Sequence, residues 1–342
     1  MGIYINSIGL ISPQVTRNNQ DFLKEKIERE GDYFKINEPP YKEYINPREL
    51  RRMSKILRNG IIAARIAMDE SSFKNPDAII TGTGLGCAID TEKFLISMVE
   101  NNENLLTPTS FIQSTHNTLG GSIAIGLGCH NYNMTYVHRG FSFETALEDA
   151  RLMLESGEIK NALVGGFDEM TDNHSHILKS SEQYHPEKGA VPGQGAGFFV
   201  LETEKRESSY AELLELETLY RNSPEDVFNT IESIFNNNKV EASSTLVLLG
   251  ENGIQAEQAV YDEFKIHHPD SNTATFKDLC GEYYTSSAFA MWLGAQILAK
   301  QQIPTIVNAK NPEMNNIKNV LIYNIFDQKE TSLILLKNAE IQ

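Results

Sequence analysis

Strand-like and helix-like segments alternate along almost the whole chain of 342 residues. The strand-like "AIITGTG" (residues 78–84) precedes the helix-like "TEKFLISMVE", and the strand-like "NMTYVH" precedes the helix-like "SFETALEDARLMLES". The strand-like runs "NALVGGFDE" and "GAGFFVLE" complete this part of the chain. Alternation of this kind predicts a layered α/β fold in which the strands are buried.

The second part of the chain repeats this alternation of strand-like and helix-like segments on a smaller scale. A helix is expected near residues 224–236, followed by the strand "STLVLLGENG", the helices "QAEQAVYDEF" and "SSAFAMWLGAQILAK", and the strands "NVLIYNIF" and "TSLILLK". A charged segment that begins "TEKRESSYAEL" separates the two parts and predicts a connection and a partly exposed strand. We therefore expect two similar halves, residues 1–203 and 204–342, that pack as one body.

Charge and cysteine content exclude several classes of protein. The formal net charge of -16 argues against a nucleic-acid partner, because phosphate binding requires a basic face. The first 13 residues alternate like a strand and do not resemble a signal peptide, and no apolar run is long enough to span a membrane. The cysteines, Cys87, Cys129 and Cys280, are too few for a disulfide framework. Together these features predict a cytoplasmic protein.

One basic segment stands out in this acidic chain. Residues 46–70 predict an amphipathic helix with a basic face and an isoleucine-rich inner face. Its basic side chains are Arg48, Arg51, Arg52, Lys55, Arg58 and Arg65. A solvated helix face and a docking patch for an acidic macromolecule both fit this pattern.

Four stretches, taken in order, resemble the β-ketoacyl synthase family of the thiolase-like superfamily. They are "GTGLG", "LTPTSFIQSTHNTLGGSIAIGLG", "ALEDARLMLESGEIKNALVGGFDE" and "GAVPGQGAGFFVLE". The resemblance covers nearly the whole chain. It implies a thiolase-like fold, in which two similar α/β halves form a layered αβαβα body.

The resemblance also places the family's catalytic positions on this sequence. The family's cysteine nucleophile lies at the start of a helix, where the helix dipole lowers its thiol pKa, and the matching position here is Gly140. The two catalytic histidines correspond to Asn252 and Glu282, whereas the family's lysine is retained as Lys277. An anionic Glu282 would repel the enolate that a histidine stabilises. We therefore expect no condensing activity, and no cofactor or metal.

The family's glycine-rich gate near the carboxyl end is altered as well. A loop of the type F-G-F-G-G-T-N appears here as "NIFDQKETSL", in which Phe326 and Asp327 are the remnants. The gate is expected to be shortened and the mouth of the pocket rebuilt.

A ketosynthase-like scaffold whose catalytic residues are replaced resembles the chain-length factors, the non-catalytic partners of ketosynthases in type II polyketide, aryl polyene and flexirubin-type assembly. This resemblance implies a heterodimer with a catalytic ketosynthase, with an acyl-carrier protein involved only indirectly. The strand "NMTYVH", which contains Thr135, Tyr136 and His138, would pair with the partner across a two-fold axis. Phe111 matches a position that reaches the partner's acyl pocket, although a buried core aromatic fits the sequence equally well.

Two other functions remain open at this stage. The chain could be a decarboxylase or thioesterase acting on carrier-bound acyl groups, or a homodimeric acyl-binding protein. Four further sites are disfavoured. Ser142 with His138 is expected to be structural rather than a nucleophile and base, and the "GTGLG" loop lacks a complete dinucleotide motif. The "NHSH" of residues 173–176, near His185, and the "HHP" of residues 267–269 predict surface loops rather than metal sites.

Overall fold

The computed structural model describes residues 2–104, 106–181, 184 and 189–340. Within these residues ten strands form one sheet. They are β1 (Ile3–Ile11), β2 (Ala78–Gly82), β3 (Tyr132–Tyr136), β4 (Asn161–Asp168), β5 (Gly195–Glu202), β6 (Ala211–Tyr220), β7 (Thr245–Leu249), β8 (Asn272–Thr275), β9 (Asn319–Phe326) and β10 (Glu330–Asn338).

Helices connect most of these strands. In the described part of the chain they are α1 (Tyr41–Tyr44), α2 (Pro47–Leu50), α3 (Lys55–Asp69), α4 (Ala88–Glu100), α5 (Pro108–Gln113), α6 (Thr118–Leu127), α7 (Ser142–Glu155), α8 (Asp172–Lys179), α9 (Pro224–Asn238), α10 (Gln255–His267), α11 (Lys277–Cys280) and α12 (Ser286–Lys300). Local sequence signals set several boundaries. Ser223 and Asp226 form a reciprocal capping box around Pro224 at the start of α9.

The strand order shows the same unit twice. The sheet runs β3-β2-β4-β5-β1-β6-β10-β9-β7-β8, so each half follows the order third, second, fourth, fifth, first. In both halves the second strand is parallel to its two neighbours, and the fifth is antiparallel to the fourth and the first. A division of the chain at residue 203 stays a prediction, because β1 and β6 pair directly and carry one sheet through both halves.

Alternate residues of each strand face different cores. On β2, Ile79 packs with α3 and α6, whereas Ile80 faces the core that contains α7 and α12. On β7, Leu248 faces the same α7 and α12 core, whereas Val247 packs with α9 and α10. Residues 286–298 of helix α12 are buried on all sides, and most of them are apolar, because the helix lies between the two half-sheets. The order of layers is therefore αβαβα, which confirms the expected thiolase-like fold.

The basic segment is not one continuous helix. Helix α2 ends at Leu50 and α3 begins at Lys55, which corrects the single helix expected over residues 46–70. The isoleucines face the core as expected, but Arg58 and Arg65 turn back to donate hydrogen bonds to the backbone carbonyls of Leu50 and Tyr44. These two arginines hold the preceding segment and do not belong to a free basic face.

The two edges of the sheet differ. Strand β3 forms one edge, and no strand of the described chain covers its outer side. At the other edge, β8 is covered by residues 308–310. The Thr275 N–H donates to the Asn308 carbonyl (3.0 Å), and the Lys310 N–H donates to the Thr273 carbonyl (2.8 Å). The fold thus leaves one sheet edge open for pairing.

The helices and the cysteines can be compared with the sequence predictions on membrane spans and disulfides. In the ranges that the structure describes, no helix combines the length and the apolar character needed to cross a bilayer. Cys87, Cys129 and Cys280 are all buried free thiols. Their burial agrees with a packing role for each of them.

Helix α3 rests directly on β1 at Gly9, and this contact generates a prediction. A Cβ at Gly9 would lie 2.1 Å from the Ala63 carbonyl oxygen, a backbone atom that cannot move aside cheaply. We expect Gly9→Ala to lower the free energy of unfolding by about 1–3 kcal/mol in urea denaturation. The control is Gly126→Ala in α6, where a Cβ meets no atom within 4 Å. It should raise stability by about 0.5–1 kcal/mol, and equal effects of the two substitutions would contradict this account of the packing.

Candidate functional site

The junction between β3 and α7 is a short 3₁₀ turn over Arg139–Phe141. Ser142 is fully buried. Its Oγ accepts the His138 N–H (2.9 Å) and donates to the Arg139 carbonyl (2.7 Å), so its hydroxyl holds the turn together. The His138 ring instead has Nδ1 3.3 Å from Thr145 Oγ1. Ser142 and His138 are therefore not arranged as a nucleophile and its base.

Gly140 lies at the positive end of α7, and a carboxylate of the protein already occupies the space in front of it. The Gly140 N–H donates to Glu330 Oε2 (2.9 Å). A Cβ at Gly140 would lie 2.7 Å from both Glu330 Oε2 and Phe326 Cγ. Glu330 thus interacts with the helix dipole and accepts the amide hydrogen bond that would otherwise be available to an anionic substrate.

The turn between β9 and β10 closes over this junction. Asp327 and Gln328 have φ values of 49° and 56°, which makes the turn tight. Asp327 accepts a hydrogen bond from the Arg139 guanidinium (3.3 Å), and the Gln328 N–H donates to Glu257 Oε1 (2.9 Å). The shortened gate expected from the sequence is thus a three-residue turn that is tied down on both sides.

Aromatic side chains fill the space beneath the turn. The rings of Phe326 and Tyr284 lie 4.9 Å apart, and Tyr284 packs against Gly84 so closely that a Cβ there would lie 2.1 Å from Tyr284 Cγ. The cavity that remains beside them measures about 30 Å³. A space of this size holds a water or two but no acyl chain.

Asn252, Lys277 and Glu282 meet in a second buried cluster with Glu257. The Asn252 amide donates to Glu257 Oε2 and to Glu282 Oε2, both at 2.6 Å. Lys277 Nζ donates to Glu282 Oε2 (2.7 Å) and to the Ile325 carbonyl (3.1 Å). The structure therefore brings together the three residues that the resemblance assigned to one site, although their match to the family's catalytic positions stays a prediction.

The charges of this second cluster compensate one another. The side chains of Lys277 and Glu282 are 1% and 2% exposed, so their ion pair is fully desolvated. Burial raises the pKa of Glu257 to about 7, and the ammonium of Lys277 acts in the opposite direction. Because Lys277 and Asn252 already donate to these carboxylates, the cluster offers no free donor to a developing oxyanion.

Asp168 joins the two halves behind these clusters. Its Oδ1 accepts from Thr83 Oγ1 (3.1 Å) and from the amides of Gly84 (2.8 Å) and Leu85 (3.2 Å). Its Oδ2 accepts from the Thr285 amide (3.0 Å) and hydroxyl (2.9 Å). Burial raises the pKa of Asp168 to about 6, whereas these hydrogen bonds lower it. The amides of the "GTGLG" loop thus bind a carboxylate of the protein itself, which leaves the nucleotide alternative without support.

Phe111 is not a core residue. Its side chain is 56% exposed and its ring lies 5.3 Å from that of Phe94, so the core alternative is wrong. Thr135 Oγ1 lies 2.8 Å from Thr81 Oγ1, and burial raises the pKa of Tyr136, which faces Asp149. The interface roles of Phe111, Thr135, Tyr136 and His138 stay predictions.

Exposed apolar side chains surround the open strand edge. Helices α4 and α5 pack mainly on each other, and among the residues of α4, all of which are described, only Asp90 is buried. The large apolar side chains exposed here are Leu95, Ile96, Val99, Phe111, Ile112, Met134 and Val137. We call these seven residues the apolar rim. Large exposed apolar side chains of this kind are candidates for burial in a protein interface.

The two histidine-rich stretches lie at helices α8 and α10. Among the described residues no group of three or more His, Cys, Asp and Glu side chains could hold a metal ion. Residues 172–179 form helix α8 rather than the expected loop, because Thr171 caps it by accepting the His174 N–H. His267 closes α10 and packs against Phe228, and His185 lies outside the described residues.

Comparison with known proteins identifies the family. The sequence profile described as "Beta-ketoacyl synthase, N-terminal domain" matches residues 24–207, more than half of the chain. The chain belongs to the β-ketoacyl synthase family. No curated protein sequence matches it at a significant level.

Solved structures confirm the β-ketoacyl synthase fold over the full length. "The ishigamide ketosynthase/chain length factor" superposes with a TM-score of 0.80 at 17% identity, over 98% of this chain and 99% of that one. A type II PKS acyl-carrier protein in complex with its ketosynthase bound to the hexaketide (AntDE:AntF) gives 0.75 at 17%, with the same coverage. A β-ketoacyl synthase from Burkholderia phymatum STM815 gives 0.77 at 13%, again over 98% and 99%. At these identities the likeness establishes the fold alone.

Sequence reasoning missed three residues that shape this β-ketoacyl synthase site. Glu330 lies 190 positions from Gly140 and has no local signal beyond its place at the start of a strand. Glu257 could have been found, because an acid in the first turn of α10, five residues after Asn252, points back toward that residue. Tyr284 is visible in sequence only as a bulky residue two positions after Glu282.

The filled space at Gly140 predicts the outcome of restoring a nucleophile. We expect Gly140→Cys to lower the free energy of unfolding by about 1–3 kcal/mol, since its Cβ overlaps Phe326 and Glu330. It should also show no acyl transfer or malonyl condensation, because catalytic groups act as a unit and the histidine positions are Asn252 and Glu282. Urea denaturation and an assay with acyl-carrier substrates measure the two effects.

The control for that variant is Gly121→Cys in α6, where a Cβ meets nothing within 4 Å and the fold should be retained. Condensation by Gly140→Cys without a partner would show that the catalytic histidines have been misplaced.

Proposed function

We propose that this chain is a non-catalytic β-ketoacyl synthase-like subunit, a chain-length factor, that pairs with an active β-ketoacyl-carrier-protein synthase and shapes its acyl pocket. The observation that carries the proposal is the occupied site at Gly140. The position lacks a nucleophile, its amide is bonded to Glu330, and Phe326 fills the space above it. A catalytic subunit would need a nucleophile at this position, a free amide and open space for the substrate.

The second cluster supports the same conclusion. Asn252 and Lys277 line a cavity of about 430 Å³, but their side chains donate hydrogen bonds to Glu257 and Glu282. A decarboxylase or thioesterase would need a free donor for the developing oxyanion at this place, and the donors of Asn252 and Lys277 are engaged. The geometry therefore favours a pseudoenzyme over an enzyme with altered chemistry.

The open edge of β3 and the apolar rim supply the surface for a partner. Pairing of β3 with the equivalent strand of another subunit would satisfy its outer backbone groups and bury part of the rim. One similar solved structure is described as a ketosynthase/chain length factor. By analogy we propose a heterodimer here, with polyene, polyketide or fatty-acid-like chains as the products.

The acyl-carrier protein would act mainly on the catalytic subunit. This chain carries a formal net charge of -16, which disfavours a second acidic surface at long range. Arg58 and Arg65 of the basic segment are engaged with backbone carbonyls and are not free to bind an acidic partner. We place the complex in the cytoplasm, where carrier-bound acyl chemistry would supply its substrate.

Co-expression with a ketosynthase from the same gene cluster tests the pairing. We expect a one-to-one complex by size-exclusion chromatography with light scattering. Met134→Arg, on the exposed face of β3, should weaken the complex at least tenfold, because it places an unpaired charge in the interface. The matched control is Ile266→Arg on α10, where an equally apolar side chain is exposed far from the strand edge. A stable self-dimer that does not exchange with the ketosynthase would favour the homodimeric acyl-binding protein instead.

Phe111 connects the interface to product length. We expect Phe111→Ala to leave folding and assembly intact, because the ring is 56% exposed, and to shift the product distribution toward longer chains by removing bulk from the partner's acyl tunnel. Mass spectrometry of the products measures the shift. Tyr220→Ala is the matched control, an aromatic side chain that is 58% exposed at the far end of β6. An assembled Phe111→Ala complex with an unchanged length profile would refute the gate role.

A further inference from the structure

A cavity of about 590 Å³ opens beside the filled site. Its walls come from residues 33–38, the start of α3, the start of α4 and the residues that follow β4. Its volume lies within the range of about 300–1,000 Å³ that is usual for small-molecule sites in proteins. The proposed function makes no use of this cavity.

Asn59 contributes a buried amide to the wall of this cavity. The residue is 3% exposed, and its Oδ1 accepts a hydrogen bond from the Tyr41 hydroxyl at 2.9 Å. This bond fixes the orientation of the amide. Among residues 2–104, 106–181, 184 and 189–340, Nδ2 has no acceptor, although it is not sealed from solvent. A largely buried donor without a partner is costly, and it marks a place where an acceptor from outside the chain would be stabilised.

Two further features of the wall favour an acceptor oxygen. Gln194 repeats the arrangement of Asn59, since its Oε1 accepts the Met170 N–H (3.3 Å) and its Nε2 has no partner in the described chain. Helix α3 begins at Lys55, and the side chain of Ser54 makes no capping hydrogen bond. Because Lys55 lines the cavity, the positive end of the α3 dipole lies beside it.

The charged groups around the cavity disfavour an anionic ligand. The carboxylates of Glu38, Glu92 and Asp172 outnumber the ammonium groups of Lys35 and Lys55. Lys55 is already paired with Glu38 at 2.6 Å, so it is not free to neutralise a carboxylate of a ligand. An acceptor oxygen that carries no net charge avoids this repulsion.

A cationic ligand is disfavoured by the state of the acids on the inner wall. Glu92 Oε2 accepts from the Asn173 amide (2.9 Å), and Glu92 Oε1 accepts from the Thr171 hydroxyl. Burial raises the pKa of Glu169 to about 8, so this carboxyl group is protonated at neutral pH, and its Oε2 is too deeply buried to reach a ligand. The unpaired groups that this wall offers are therefore amide donors.

We propose that this cavity binds an uncharged small molecule with a carbonyl group, whose oxygen accepts a hydrogen bond from Asn59 Nδ2. A carboxamide has this chemistry, because its oxygen is a hydrogen-bond acceptor and the group carries no net charge. The cavity also offers apolar contact surface to the rest of such a ligand, from Ile36, Ile56, Ile89 and Met170.

Titration of the full, isotope-labelled chain with N-butylacetamide, followed by NMR, tests the site. We expect saturable binding and a downfield shift of the Asn59 side-chain NH₂ resonances, because this group forms a new hydrogen bond. Hexanoate and hexylammonium are similar in size but charged, and each should bind at least about tenfold more weakly. The proposal is overturned by a lack of saturable binding, by an unmoved Asn59 NH₂ signal at saturation, or by a charged probe that binds as tightly as N-butylacetamide.

Asn59→Asp keeps an acceptor for the Tyr41 hydroxyl and removes the Nδ2 donor. We expect it to weaken binding of N-butylacetamide at least about tenfold. The matched control is Asn237→Asp, the same substitution at an exposed position of α9, which should change the affinity less than about twofold. A folded Asn59→Asp variant with wild-type affinity would overturn the assignment, and the NH₂ shift of the wild-type chain decides the matter if that variant does not fold.

Discussion

The rest of the structure depends on one buried carboxylate, that of Asp168. It ends β4, accepts hydrogen bonds from the loop after β2, and accepts two more at the start of α12, the central helix of the second half. An uncompensated carboxylate at this depth would be strongly destabilising, whereas five donors turn it into a joint between two half-sheets and the helices between them. Because this joint fixes the loop after β2 and the position of Tyr284, it also determines how completely the space beside Gly140 is filled.

The polar groups of the site form hydrogen bonds with other side chains of the same protein. The Glu330 carboxylate accepts the Gly140 N–H at the start of α7. The side chains of Asn252 and Lys277 donate their hydrogen bonds to Glu257 and Glu282. Each interaction replaces something that a substrate would otherwise provide. In the proposed non-catalytic subunit, replacement of the catalytic groups therefore does not leave the empty, unstable pocket that deletion of polar groups alone would create.

Most of the long strands and helices could be predicted from sequence, because local patterns of apolar and polar residues indicate them. Alternation of strand and helix segments marked nearly every long element, and the burial of all residues from 286 to 298 is explained by their position between the two halves of the sheet. Short elements such as β8 (Asn272–Thr275) carry too few residues for a periodic signal, and α8 was taken for a loop because its histidines obscured the Thr171 cap. The bond between Gly140 and Glu330 links residues 190 positions apart, and no local pattern can reveal such a contact. The proposed catalytic positions could be named from sequence, but Glu330, which fills the space at Gly140, could not.

The unequal edges of the sheet set a limit on assembly. Backbone pairing through β3 would extend ten strands into twenty across a two-fold axis, but the far edge is sealed by residues 308–310. A sheet with one open edge can pair with one other sheet, and no unpaired strand edge then remains. Growth into filaments by strand pairing is therefore blocked by geometry rather than by charge. A dimer that pairs through β3 would therefore leave no open strand edge in the described chain for a third subunit.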